Sequence, residues 1–509
     1  MRRMPLGPVL AGLAMVACAR AAHAQDVAAF EKKITVRTLA NGLTVLVCER
    51  PEAPVFSFFT HVDVGADREV PGITGLAHMF EHMAFKGTDR IGTRDYEHEK
   101  QALEAVEAAY AAYDGERRRS VGRDDKKVAE LEKAWKEKIA EADGYVVPNE
   151  FGEIVDREGG VGLNASTSSD DTRYYFSFPS NRVELWAYLE SERFLKPVLR
   201  EFYKERDVVH EERRMRTESS PVGRMVEQFL AAAFTAHPYG QPVVGWPSDL
   251  DTFSATDAAA FHARYYVPSN MTIALVGDLR SSEALPLVET YFGRLPSAPK
   301  PQPLRTVEPR QTAERQVVIK DPAQPFYLEG YHRPAYLHPD DAVYDVLQDL
   351  LSSGRTSRLY RSLVRDKRIA ANASGFSGFP GVKYPSLFAF FGVPTPGHTP
   401  QEVQAAIRVE IERLKTEDVP EAELEMVKTR TRANLVRGLD SNQGLAVQLG
   451  LSQARYGDWR GLFQEVDRIQ KVTAADVRRV ANDTFVEANR TVAIIESTRM
   501  ATAKEAGQK

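Results

Sequence analysis

Apolar positions along this chain follow two different periods. Around residues 39–48, and again at 316–319 and 326–331, they form short runs rich in β-formers, of strand length. Between Tyr96 and Asp143 the spacing changes to three and four. Leu103, Val106, Tyr110 and Tyr113 make one stripe, and Val128, Leu131, Trp135 and Ile139 make another. Residues three or four apart share one face of a helix, so this segment predicts a helical hairpin. Its turn is expected in the charged stretch from Asp114-Gly115 to Asp125. A further helix is predicted from Asp341 to Leu351, and strands and helices alternate throughout in an α+β manner.

The pattern repeats once. Asp257, Phe261, Tyr266, Asn270 and the strand at 272–276 recur 219 residues later as Asp476, Val480, Phe485, Asn489 and the strand at 491–495. A period this long marks a duplicated domain, because solenoid repeats run about 20–50 residues. The Pro-rich stretch 295–304 separates the copies and predicts an extended linker. The expected organisation is a first domain over 30–295 with the hairpin at about 96–143, a linker over 296–312, a second homologous domain over 313–498, and a polar tail over 499–509.

Composition narrows the classes. A chain of 509 residues has ample core for several domains, and its net charge of −5 leaves no basic footprint for nucleic acid. Two arginines, an apolar run and Ala22-His-Ala24 read as a secretory signal over 1–24, with the bacterial periplasm as destination. A lipoprotein box ending at Cys18 is the other reading of this leader. No later run reaches the roughly 18 apolar residues of a membrane span, so none is expected. With Cys18 removed, Cys48 is the remaining cysteine and no intrachain disulfide can form. Its apolar neighbours make it a small buried hydrophobe rather than a nucleophile.

Chemistry concentrates at His78-Met-Phe-Glu81-His82. Histidine is scarce here, 11 residues in the whole chain, and a helix would stack these two imidazoles on one face. Met79, Phe80, Met83 and Phe85 supply an apolar side, and Gly87 is a plausible stop. Two histidines four apart with a nearby carboxylate are the makings of a zinc site with a general base. A third ligand is required from another helix. Glu205 and Glu212, two turns apart in the stretch from Tyr203 to Arg213, share a face, whereas Glu211 points about 100° away. Glu212 is therefore assigned to the metal and Glu205 to a supporting position behind a ligand.

His78-x-x-Glu81-His82 followed by Glu205-x6-Glu212 resembles the insulinase/pitrilysin metallopeptidases, which include the mitochondrial processing peptidase. Leu39-Ala-Asn-Gly-Leu-Thr-Val-Leu-Val47, Val64-Gly-Ala-Asp67, the stretch from Asn164 to Tyr175, His237-Pro-Tyr-Gly240 and Ser352-Ser-Gly-Arg-Thr-Ser-Arg-Leu359 extend the likeness over most of the chain after residue 30. The 129 residues between His82 and Glu212 exceed the compact members' spacing, and the excess falls in the hairpin. That insertion is either structural decoration or a lid or partner contact. The resemblance implies two tandem α/β-sandwich domains, each an antiparallel-rich sheet with helices packed on it, forming one half of a clamshell around a chamber. It implies one Zn2+ per chain, Glu81 as proton acceptor, and peptide binding along an edge strand at Asn164 and Ala165; the plainer reading of Asn164 is a strand cap.

Only the first copy carries the motif; the matching stretch of the second reads Tyr344-Asp-Val-Leu-Gln-Asp-Leu-Leu. Family members also place an Arg/Tyr pair beside the site from another domain. Here residues 373–384 offer Tyr384 but no arginine, which points to a heterodimer whose homologous partner supplies the pair, or else to a homodimer. The expected function is a secreted zinc endopeptidase acting on peptides or unstructured segments. A non-catalytic core subunit or a peptide-holding protein of the same fold is the alternative.

Overall fold

The computed structural model describes residues 30–499. The leader reading, Cys18 and all but the first residue of the polar tail lie outside the described residues. Two mixed sheets organise the rest. The first contains β1 (Ile34–Thr38), β2 (Thr44–Glu49), β3 (Val55–Val62), β4 (Val161–Thr167), β5 (Thr172–Pro179) and β6 (Met271–Gly277), in the order β1-β2-β6-β3-β5-β4. The second contains β7 (Arg315–Asp321), β8 (Phe326–Arg333), β9 (Ala370–Phe379), β10 (Ser386–Pro394) and β11 (Arg490–Ser497), in the order β7-β11-β8-β10-β9. Without β1 the two orders are the same. Each sheet has one parallel pair, β2 with β6 and β7 with β11, and is otherwise antiparallel.

Strand β6 illustrates how sequence becomes layer. All seven of its residues are buried, because it lies between β2 and β3 with both faces covered. Ile273 and Leu275 face the larger core with the first-half helices, while Ala274 and Val276 face the opposite side. The cover on that opposite side comes from the second half. Helix Asn442–Tyr456 lays Leu445, Ala446 and Leu449 on Leu46, Phe59 and Ala274. Gly450 permits the close approach: a Cβ there would lie 2.5 Å from the Phe59 ring. The exchange is mutual. Helix Pro221–Ala233 of the first half sets Met225 and Phe229 against Leu328, Leu387 and Ile495 of the second sheet. Each half thus completes the core of the other.

The Pro-rich connection is correspondingly less free than an extended tether. Asn41 donates to the carbonyl of Leu295, Gln311 donates to that of Arg490 at 2.7 Å, and Glu308 accepts the backbone N–H groups of Thr235, Ala236 and His237, each at 2.9 Å. Proline's lack of a donor leaves this strand-like stretch outside both sheets, but its flanks are strapped to both halves.

The hairpin forms as its periodicity predicts, with helices Tyr96–Arg117 and Asp125–Asp143. Its turn is shorter than expected. Gly115 stays helical because Asp114 pairs with Arg117 and Arg118, and Glu116 reaches Lys127 and the N–H of Asp124, holding the last turn closed. Tyr110 and Trp135 pack against the Tyr203 ring, Trp135 edge-on, and Arg200 forms a buried ion pair with Glu99 at 2.7 Å. The hairpin therefore braces the start of helix Phe202–Arg213, which carries Glu205 and Glu212.

Candidate metal centre

Helix Leu76–Met83 positions both histidines. Its first turn has no side-chain cap of its own; the carboxylate of Glu69 instead accepts from the N–H groups of Gly75 and Ala77, each at 2.7 Å. Leu76, Met79, Phe80 and Met83 are fully buried and fix its rotation. The helix ends at Met83, short of Gly87. Arg200 takes the carbonyls of Lys86, Thr88 and Ile91, so the chain is drawn into a turn there rather than another helical coil.

His78, His82 and Glu212 converge: one donor atom from each lies within 4.8 Å of the others. Glu212 Oε2 is 3.6 Å from Nε2 of both histidines, too far for hydrogen bonds. Three metal-binding atoms held together without bonding one another suit a tetrahedral ion, whose ligands at about 2.0–2.2 Å sit roughly 3.4 Å apart. The donor set of two imidazoles and a carboxylate with room for water fits zinc.

Glu205 and Glu211 behave differently. Glu205 Oε1 is 3.0 Å from His82 Nδ1, so a proton on Nδ1 leaves the Nε2 lone pair facing Glu212. Lys86 holds Glu205 at 2.6 Å, and the pKa of Glu205 is lowered to about 2; burial opposes ionisation, but the His82 and Lys86 bonds outweigh it. Glu211 pairs with Arg214 on the exposed side. Burial holds the pKa of His78 down to about 3, with His82 beside it adding to the effect. Burial acts the same way on His82, but Glu205, Glu81 and Glu212 outweigh it and raise its pKa, an environment that favours a cation.

Three further contacts shape this site, and of these only the Arg216–Glu212 pair, four residues apart, has a signal in local sequence. The Thr167 hydroxyl, at the end of β4, donates to Glu81 Oε2 at 2.6 Å. Burial pushes the pKa of Glu81 up, partly offset by this bond. Arg216 reaches the other Glu212 oxygen from the π-helical turn Arg214–Glu218. Lys86, the third, needs the fold to bring it to Glu205.

His78, Glu81, His82, Thr167, Glu212 and Arg216 line a cleft of about 1140 Å³. One side is the end of β4, which occupies the sheet edge, and includes Asn164 and Ala165. Asn164 Oδ1 accepts from its neighbour, the Ala165 N–H, while its amide donates to the Tyr175 hydroxyl. Tyr384 is not among the residues lining the cleft. Its ring packs against His237 and its hydroxyl accepts from the Leu304 N–H. The second half reaches the cleft through Phe379 and Pro380 instead.

Among the described residues the second half has no matching centre. With the 96–143 hairpin left out of the count, the repeat sets Asp345, Gln348 and Asp349 against His78, Glu81 and His82, and the 219-residue offset sets Leu424 and Thr431 against Glu205 and Glu212. Asp349 is taken by Arg430 at 2.7 Å.

The chain belongs to the insulinase family of peptidases (peptidase family M16). That family's model matches residues 44–115, and the model for the M16 inactive domain matches 252–431. Zinc protease PqqE of Helicobacter pylori is 28% identical over 96% of this chain and 97% of its own length. A crystal structure of a protease from the same organism superposes with a TM-score of 0.75 at 28% identity, covering 91% of this chain and 99% of that one. The periplasmic protease PqqL of Escherichia coli shares the fold at a TM-score of 0.68 and 18% identity, over 93% of this chain but 48% of its own.

Proposed function

We propose that this protein is a zinc-dependent endopeptidase that hydrolyses peptides or unstructured polypeptide segments. The observation that carries the reading is the convergence of His78, His82 and Glu212 with Glu81 beside them in a cleft bordered by an open sheet edge. The two histidines and Glu212 hold Zn2+, which when bound supplies positive charge that acidifies water and polarises a carbonyl. Glu205 fixes the His82 tautomer and Lys86 fixes Glu205. Glu81 accepts a proton from water and returns one to the leaving amine. Thr167 holds one of its oxygens, orienting the other toward the cleft. An extended peptide lies along β4, where main-chain hydrogen bonds give affinity with little sequence demand; binding displaces the Asn164 side chain from the Ala165 N–H.

A periplasmic location and a clamshell completed by a second, homologous subunit belong to the same proposal. The leader at 1–24 supports the first. The absence of an arginine in 373–384, and the fact that this chain matches about half of the two-part PqqL, support the second. The test of the reading is Glu81→Gln. The variant is expected to retain one zinc per chain by elemental analysis and to lose peptide hydrolysis by about 10²–10⁴-fold; undiminished turnover would refute it.

A further inference from the structure

The cleft has two walls of different chemistry. Along β4 and the turn after it, residues 164–169 are polar or small. The remaining lining carries Val208, Met215, Val222, Val226 and Phe379, interspersed with the polar side chains of Glu211, Arg216, Thr217 and Glu227. Val208, Met215 and Val222 are 48%, 61% and 37% exposed, an unusual concentration of open apolar surface beside a polar centre. Val222 and Val226 line the cleft from helix Pro221–Ala233, Met225 and Phe229 are buried on the second sheet, and Val226 also packs against that cluster.

Phe379 comes from the second half, at the end of β9, and its mount is rigid. The Asp170 carboxylate accepts the N–H groups of Val382 at 2.7 Å and Lys383 at 3.1 Å, and also the Tyr239 hydroxyl. Lys383 Nζ is 2.5 Å from Asp63 and 3.5 Å from Asp67. A Cβ on Gly381 would lie 2.6 Å from both Asp170 Oδ1 and the Tyr239 oxygen, so this docking needs glycine. Asp170 itself sits in the turn that follows β4. One turn therefore fixes both the strand edge and the tip that carries Phe379.

We propose that Phe379 is a specificity-determining residue. It closes an apolar subsite with Val208, Met215, Val222 and Val226 that receives a bulky apolar side chain of a peptide extended along β4. The catalytic part of this inference rests on the peptidase reading. The occupant is an apolar peptide side chain because these residues line the same cleft as the candidate centre and the free edge of β4.

The test uses two fluorogenic decapeptides, alike in length and charge, with either phenylalanine or serine at the positions flanking the central bond. The full-length chain is expected to cleave the phenylalanine peptide at least about tenfold faster in kcat/KM. Phe379→Ala should remove most of that ratio while changing the serine peptide less than about twofold, and Phe379→Leu should restore it. Gly381→Ala, which leaves Phe379 in place but displaces its mount, should lower the ratio as well. Equal cleavage of both peptides, or a ratio indifferent to Phe379→Ala, overturns the subsite and leaves the peptidase reading intact. Fluorescence anisotropy with the Glu81→Gln chain reads the subsite without turnover. Tighter binding of the phenylalanine peptide that depends on Phe379, where the parent chain hydrolyses neither peptide even with the product of the neighbouring gene present, upholds the subsite and refutes the peptidase reading.

Discussion

Two neighbouring glutamates, Glu211 and Glu212, show how much a single helical step decides. Glu212 faces the histidines and Glu211 faces Arg214. Metal analysis of Glu212→Gln is expected to show zinc lost, whereas Glu211→Gln should keep it; loss from the Glu211 change alone would reverse the assignment. The second half supplies a contrasting residue. Burial, with Asp341 and Glu465 nearby, raises the pKa of Asp345 to about 8. A carboxyl whose folded pKa lies above its unfolded value near 3.9 stabilises the fold most below that value, and the contribution is lost as pH rises toward 8. Asp345→Asn should therefore raise the urea midpoint relative to the parent more at pH 8 than at pH 5. A pH-independent difference between the two proteins would count against the shift.

Among elements, the inserted hairpin was the most legible and its purpose the least. Its stripes are local, so residues 96–143 announce two helices from sequence alone, apart from the turn that Asp114 and Glu116 shorten. What those helices hold is set by a distant partner: Arg200, buried with Glu99, gathers three carbonyls after the histidine helix and anchors the chain leading into Glu205 and Glu212. Arg200→Ala leaves the Glu99 carboxylate buried without its cation and should cost about 3–5 kcal/mol. Denaturant unfolding reads that loss directly, and a change under 1 kcal/mol would remove the hairpin's bracing role. Helices Pro221–Ala233 and Asn442–Tyr456 present the opposite case. Each lays apolar side chains on the other half's sheet, and nothing in its own sequence says which sheet it belongs to.

At the scale of the molecule, the exchanged helices and the strapped connection make the two halves one body, while the cleft remains open to whatever closes over it. Co-expression with the product of the neighbouring gene is expected to give a heavier complex by mass measurement and faster peptide hydrolysis than the chain alone. Full activity of the isolated monomer would dispose of the partner. The sequence by itself determined the histidine pair, Glu212 beside it with Glu205 in support, the duplication and the hairpin, because each is written in spacings of one to seven residues or in a fixed repeat. Only tertiary structure decided that Thr167 holds Glu81 from 86 residues away, that Lys383 meets Asp63 across 320, and that Phe379 rather than Tyr384 faces the cleft. Such contacts depend on how sheets and helices stack, and chain order carries no local record of which distant segments burial will bring together.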